Sequence, residues 1–262
     1  MDFTIKRYSK LLDALSLRTD VFLRHDVDVS TSNALRLARL EDNKGVKSTY
    51  YFRVRHFTSP HQLSHIKAIA SLGHSIGYHY ENLTTTKGNV EEAYLDFERN
   101  LALLRQIAPV STACAHGSPA SPWDSQEIFE SKSRRVEKPK CHFDIHALGI
   151  EYEPMIDTDF STTLYLTDTG RRWDGYRVSI RDKVPLLQEK WEQEGLSFHT
   201  TDDLINALHN PSHPIHRYKL LINTHPERWT TLGAVWVKEF CLQWLKNIIK
   251  GAVVAHRNKQ RQ

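Results

Sequence analysis

The sequence predicts an α/β protein built on a mostly parallel sheet. Short apolar segments rich in β-branched and aromatic residues alternate with longer segments that carry a helical apolar stripe. Alternation of this kind favours parallel strands joined by helical crossovers, in a sheet that is either open or closed into a barrel. Gly-rich loops of the dinucleotide or Walker type are absent from the sequence, which argues against a nucleotide-binding protein.

The predicted strands are short and are built around Val, Ile, Leu, Tyr or Phe. In chain order they cover 20–26, 47–54, 74–80, 110–116, 163–168, 196–200 and 218–225. The predicted helices begin near polar capping residues or end near Gly or Pro. They cover 30–45, 59–73, 89–109, 184–195, 201–210 and a long amphipathic C-terminal segment, 232–255. We expect a single domain over 1–262, with an insertion or lid at about 117–159, where the alternation weakens.

Composition places the chain among ordinary globular proteins. Hydrophobic residues make up 40% and charged residues 25% of the 262 residues, so the chain can bury a sizeable core. The formal net charge is +4 and the basic residues are scattered, apart from a short basic tail, so no nucleic-acid partner is predicted. Three distant cysteines argue against a disulfide framework. The sequence shows no signal-peptide pattern and no transmembrane segment, and we expect a cytoplasmic protein.

Acidic and imidazole side chains recur at the carboxyl ends of the predicted strands. They are Asp26 and Asp28 at the end of the first strand, His79 and Glu81 at the end of the third, His116 at the end of the fourth, Asp168 at the end of the fifth and His225 at the end of the last. Taken singly, each has an ordinary explanation as a helix cap or a hydrogen-bonded loop residue, and for a lone histidine at a strand end that explanation is the more common one. In parallel α/β folds, however, ligand sites lie at this edge of the sheet. Carboxylates and imidazoles together suit zinc or another divalent transition ion, so the recurrence favours a metal site.

Five motifs along the chain also resemble, in order, those of a divergent bacterial branch of the NodB-like polysaccharide deacetylases (carbohydrate esterase family four). The motifs are RHDVD, GHSIGYHYE, HGSPASPWD, YLTDTGRRWDG and INTHPERW, and they extend over nearly the whole chain. The resemblance implies a distorted (β/α) barrel of the NodB-homology type. It also implies a divalent metal in a groove at the top of the barrel and the removal of acetyl groups from N-acetylated sugars.

By position, the resemblance assigns catalytic and metal-binding roles to four residues. Asp26 matches the family's general base, and Asp28 and His79 match its metal ligands. His225 falls at the late catalytic histidine, which would protonate the departing amine; an imidazole titrates near neutral pH and suits that role.

The sequence departs from the family at the second metal histidine, because Leu83 stands four residues after His79. Either another residue supplies the third ligand or metal binding has been lost. His116 and Glu81 are the two candidates, and His116 ranks slightly ahead because an imidazole would restore the missing ligand type. The motif around His116 also lacks the family's arginine, the usual partner of the base.

The sequence therefore predicts a metal-dependent carbohydrate N-deacetylase, a hydrolase with one divalent ion, of which zinc is favoured over cobalt and manganese. Its substrate would be a precursor or an oligosaccharide of surface polysaccharide. Asp168, Trp173 and Tyr80 are expected at the substrate. The alternatives are a non-catalytic glycan-binding or scaffolding protein on the same barrel, favoured by the missing histidine, and a hydrolase of another small amide.

Overall fold

The computed structural model describes residues 1–117, 121–129, 143–179 and 181–259. Six strands lie in this part of the chain: β1 Val21–Val27, β2 Thr49–Phe52, β3 Ser75–Tyr80, β4 Ala113–Ala115, β5 Thr163–Thr167 and β6 Lys219–Thr224. The strands are parallel, and their order in the sheet is β4-β3-β2-β1-β6-β5. The predicted fold class is thus confirmed: an α/β protein with parallel strands, consistent with a distorted barrel.

The helices of the same part of the chain connect and flank these strands. They are α1 Ile5–Leu15, α2 Thr31–Asn43, α3 Val54–Phe57, α4 Pro60–Ser71, α5 Asn82–Thr85, α6 Val90–Arg105, α7 Gln188–Gln193, α8 Thr201–His209 and α9 Ala234–Lys259. Of these, α1, α3 and α5 were not predicted. None of the helices in the described ranges has the length and hydropathy that would let it span a membrane.

Two predicted elements of the C-terminal half are wrong. Residues 196–200 form no strand, although the alternating Leu196 and Phe198 are both buried. A strand needs a neighbour that accepts its backbone hydrogen bonds, whereas these two side chains are buried without a ladder. The helix predicted over 184–195 is confined to Gln188–Gln193, and residues 184–187 before it are not helical.

The chain folds into two compact units. The first comprises Met1–Arg24, Leu40–Val46 and Asp159–Gln262, and the second comprises His25–Arg39 and Lys47–Thr158. Strand β1 contributes its first half to the first unit and its second half to the second. The single domain and its insertion at about 117–159 stay predictions, and 118–120 and 130–142 lie outside the described residues.

In the second unit, strand register brings two polar strand ends side by side. Strand β3 pairs in parallel with β2 on one side and with β4 on the other, and His79 is in register with Cys114. These strands are buried along nearly their whole length, as is typical of parallel sheets covered on both faces. A parallel register collects the carboxyl ends of neighbouring strands at one edge, so the residues that follow β3 and β4 meet there.

In the first unit, β5 and β6 pair in the same way, with Thr167 in register with Asn223. This register places the residues that follow each strand, Asp168 and His225, next to each other. Thr4 caps the N-terminus of helix α1, because its hydroxyl accepts a hydrogen bond from the backbone N–H of Arg7.

Candidate metal centre

Asp28, His79 and His116 form a compact cluster in the second unit. Each offers one ligand atom, and the three atoms lie within 4.8 Å of one another. Asp28 Oδ1 is 3.5 Å from His79 Nε2 and 3.2 Å from His116 Nε2. Ligand atoms bonded tetrahedrally to zinc at about 2.0–2.1 Å lie about 3.3 Å apart, so the observed separations match those around such an ion. One carboxylate and two imidazoles are also a donor set that suits divalent transition metals.

His79 is held in the orientation that a metal ligand needs. It stands near the end of β3, is almost fully buried, and its Nδ1 lies 2.9 Å from the carbonyl oxygen of Cys114 on β4. Because a carbonyl oxygen only accepts, Nδ1 carries the proton and the lone pair is on Nε2, the atom that faces Asp28. A backbone carbonyl on the second ring nitrogen is a common support for histidines that bind metals.

His116 lies between two carboxylates. Its Nε2 faces Asp28, while its Nδ1 is 3.3 Å from Glu81 Oε2. Its backbone N–H donates to the carbonyl of Tyr80 at 2.8 Å, which joins the residue after β4 to the end of β3. Burial lowers the pKa of His116, but the hydrogen bonds with Asp28 and Glu81 outweigh burial and raise this pKa to about 9.

Glu81 is bound by Arg53 as well as by His116. Arg53 Nε donates to Glu81 Oε1 at 2.9 Å, and Arg53 NH2 is 2.6 Å from both carboxylate oxygens. Burial raises the pKa of Glu81, but His116 and Arg53 outweigh it and lower this pKa to about 2. Of the two candidates for a third ligand, His116 therefore stands in the cluster, and Glu81 stands behind His116 with its charge balanced by Arg53.

Asp26 borders the same cluster from the end of β1. It is 6% exposed, and it forms a second group of potential ligand atoms, all within 4.8 Å, with His79 and Cys114. Both aspartates of the RHDVD motif thus lie beside His79, as their spacing predicted. Cys114 is buried, and the sequence did not predict its position beside Asp26 and His79, because no motif includes it.

Leu83 packs into the core of the second unit. It lies in α5, is 2% exposed, and belongs to the same hydrophobic cluster as Phe97 and Tyr80. Leu83 therefore faces apolar side chains, and the second imidazole of the cluster belongs to His116, the residue after β4.

A second polar network lies in the first unit, around Asp168. Its carboxylate is fully buried; Oδ1 is 2.7 Å from His225 Nδ1 and 2.6 Å from Arg228 NH1. Oδ2 accepts from the backbone N–H of His225 at 3.0 Å and from Trp229 Nε1 at 2.9 Å. Burial raises the pKa of Asp168, but Arg228 and His225 outweigh burial and hold this pKa below its usual value.

Asp182 is a further acid of the first unit, half-buried, that the sequence did not indicate. It accepts hydrogen bonds from the hydroxyls of Tyr165, Thr167 and Thr169. Burial raises the pKa of Asp182, but the charges of His225 and Arg24 and the hydroxyls of Thr169 and Tyr165 lower it to about 2. Asp182 lies neither at the end of a predicted strand nor in a motif, so its contacts become apparent only in the folded chain.

Three residues expected at the substrate are enclosed by protein. Tyr80 is fully buried and its hydroxyl donates to Glu153 at 3.3 Å. Trp173 is 4% exposed and its Nε1 donates to Thr201 at 3.1 Å. Asp168 is fully buried against His225. All three side chains are thus buried and hydrogen-bonded within the protein. Their role at the substrate stays a prediction.

Comparisons with known proteins assign neither a family nor a function to this chain. No protein-family model matches the sequence, and no curated protein matches it. Among solved structures, the chain is similar to a mutant of BA3943, described as a CE4 family pseudoenzyme with restored enzymatic activity. The identity is 10% and the TM-score is 0.40, over 88% of this chain and 63% of that chain. This chain thus spans less than two thirds of that protein's length. A likeness of this extent transfers no residue role.

Proposed function

We propose that this protein is a metal-dependent hydrolase that removes an N-acetyl group from a sugar. The observation that carries the proposal is the cluster of Asp28, His79 and His116. Its two distances between Asp28 and a histidine match those of a tetrahedral metal site, and all three ligand atoms lie within 4.8 Å of one another. The type of substrate comes from the motifs that resemble the NodB-like deacetylases.

The chain's own residues would hold the ion and move the proton. Asp28, His79 and His116 are the proposed ligands, and zinc is the ion that this donor set favours. A divalent ion bound there would activate a water molecule and polarise the acetyl carbonyl. Asp26 borders the cluster and would accept the proton of the attacking water as general base.

Glu81 and Arg53 would act through His116. A carboxylate on the second nitrogen of a metal-binding histidine orients the ring and raises its basicity. Arg53 keeps that carboxylate ionised and in place. In this proposal His116 replaces the histidine that the family has at the position of Leu83, and Glu81 supports His116 rather than binding the ion.

The role of His225 as the acid that protonates the departing amine stays a prediction from the resemblance. Within its own unit, Asp168 accepts a hydrogen bond from His225 Nδ1–H and so orients the imidazole. The orientation of an imidazole by a buried carboxylate is a familiar device in acid–base catalysis.

The proposal is tested by metal content and acetate release. The purified protein is expected to retain about one zinc, cobalt or manganese ion per chain and to release acetate from a panel of N-acetylhexosamine glycans and activated sugars. Asp26→Asn is expected to keep the metal and to lower kcat by about 10²-fold or more. His116→Ala is expected to lose the metal.

A matched control is available in the same unit. His146 forms a histidine–carboxylate pair with Asp157 at 3.1 Å outside the cluster, so His146→Ala should keep both metal and activity. A wild-type protein that binds no divalent ion and releases no acetate would overturn the proposal. A protein that binds metal and glycan without turnover would instead be the non-catalytic alternative.

A further inference from the structure

The C-terminal helix α9 contacts the rest of its unit through its polar side. Trp236 Nε1 donates to the carbonyl of Asp2 at 2.8 Å, and Asn247 Nδ2 donates to the carbonyl of Gly170 at 2.9 Å. Gln243 Nε2 donates to Asn247 Oδ1 at 2.8 Å. Trp236, Gln243 and Asn247 are half-buried and lie on one face of the helix by their spacing.

The opposite face of α9 is apolar and exposed to solvent. We call it the apolar stripe and define it as Val237, Cys241, Trp244, Leu245 and Ile248, which recur at helical spacing. Val237, Trp244, Leu245 and Ile248 are each 51–60% exposed, and Cys241 is exposed as well. Trp244, at the edge of the stripe, also lines a cavity with Asp2 and Arg171. A helix of a globular protein normally turns its apolar stripe to the core, and a contiguous exposed patch of this kind marks an interaction surface.

Charge indicates what covers the stripe. Over Ala234–Lys259 the sequence has five Lys or Arg residues and a single acidic residue, Glu239. Lys238 and Lys246 are both exposed. By helical spacing, Lys238 borders the stripe and Lys246 lies further round, on the polar side of the helix. A second copy of the chain would bring one basic helix against another, which like charges oppose. An anionic lipid surface complements both features, because its headgroups attract the lysines and its acyl boundary accepts the apolar side chains.

The aromatic residues of α9 support the same occupant. Trp244 is 60% exposed and Phe240 is 48% exposed. Large aromatic side chains are favoured at the boundary between headgroups and acyl chains. We therefore propose that α9 is an interfacial helix, which lies in the surface of an anionic bilayer with the apolar stripe facing the acyl chains. This proposal is independent of the metal centre.

The test is co-sedimentation of the full-length protein with vesicles. Wild type is expected to bind vesicles of phosphatidylglycerol mixed with phosphatidylcholine, and to bind phosphatidylcholine alone about tenfold more weakly. Leu245→Gln/Ile248→Gln is expected to weaken binding to the anionic vesicles by about tenfold or more. Lys238→Glu/Lys246→Glu is expected to remove the preference for anionic lipid.

The matched control replaces exposed leucines of α6. Leu95 and Leu103 are 60% and 41% exposed, so Leu95→Gln/Leu103→Gln makes the same chemical change away from the stripe and should bind vesicles like wild type. Thermal unfolding of every variant checks that it folds. Absence of wild-type binding to the anionic vesicles, or undiminished binding by the stripe variant, would overturn the proposal. A lipid-free dimer that the stripe variant dissociates would also overturn it, in favour of a second copy.

Discussion

Glu81 contacts the second nitrogen of His116, and Arg53 in turn contacts Glu81. The same carboxylate would be a poor direct ligand, because both of its oxygens already accept from the guanidinium. Supporting groups of this kind commonly contribute a factor of 10–100 to metal affinity.

Replacing Glu81 by Gln should therefore weaken metal binding without removing any ligand. We expect Glu81→Gln to lower zinc affinity by about 10–100-fold, measured by competition with a chelating dye. Glu98→Gln, an exposed change on α6, is the matched control and should leave affinity unchanged. Equal zinc affinity in Glu81→Gln and wild type would contradict the supporting role.

His225 belongs to the first unit, and its predicted role concerns turnover and not metal retention. His225→Asn should lower kcat by about 10²–10⁴-fold, because general-acid assistance to the departing amine is lost. Its metal content, measured by elemental analysis, should stay that of wild type. His209→Asn, an exposed change in the same unit, should have no effect. Full activity of His225→Asn would remove His225 from the mechanism.

The ionisation of Asp182 makes the stability of the first unit depend on pH. Its pKa falls from 3.8 to about 2 on folding, so the unfolded chain takes up a proton before the folded chain does. The corresponding stability, about 2 kcal/mol, is fully present above about pH 4 and is lost as the pH falls towards about 2.

Asp182→Asn should flatten this dependence. Between about pH 4 and pH 2 the free energy of unfolding should fall less steeply in the variant than in wild type, by chemical denaturation at each pH. Asp144→Asn, at an exposed position, should keep the wild-type slope. Parallel pH profiles for Asp182→Asn and wild type would show that Asp182 is not the group responsible.

At the scale of elements, the packing of strand β3 depends on Gly77. Because Gly77 has no side chain, the ring of Tyr51 lies directly against the strand that carries His79. A Cβ at Gly77 would be 2.4 Å from the Tyr51 ring and 3.2 Å from the side chain of Thr112. Both neighbours belong to the core of the second unit, so neither moves away cheaply.

Gly77→Ala should therefore destabilise the sheet and disturb the metal site together. We expect a loss of about 1–3 kcal/mol in the free energy of unfolding, with weaker zinc binding because His79 is two residues away on the same strand. Adding Tyr51→Leu, which shortens the clashing side chain, should recover part of the loss. A Gly77→Ala variant as stable as wild type would show that the strands adjust freely.

Sequence patterns predicted the six strands of the described residues and helices α2, α4, α6, α8 and α9, but missed helix α1 despite its 11 residues and apolar periodicity. Helices α2, α4, α6 and α8 and the strands β1, β3, β5 and β6 carry the apolar periodicity that burial imposes. The short helices α3 and α5 lack room for a periodic signal, since one turn contains no repeat. The strand predicted at 196–200 is wrong for another reason. Leu196 and Phe198 alternate and are buried as in a strand, but a strand also needs a neighbouring strand that pairs with its backbone.

At the scale of the whole molecule, the sequence by itself determined the α/β class, the parallel strands and the convergence of Asp28 and His79. These follow from local periodicity and from the rule that parallel strands end at one edge. Only the tertiary structure decided that His116 joins the cluster while Glu81 supports it from behind, and that Tyr80, Trp173 and Asp168 are enclosed. Whether His116 or Glu81 joins the cluster depends on the register between strands, on the ion pair of Arg53 with Glu81 and on the packing around Leu83. Contacts between residues far apart in the chain leave no periodic trace in it.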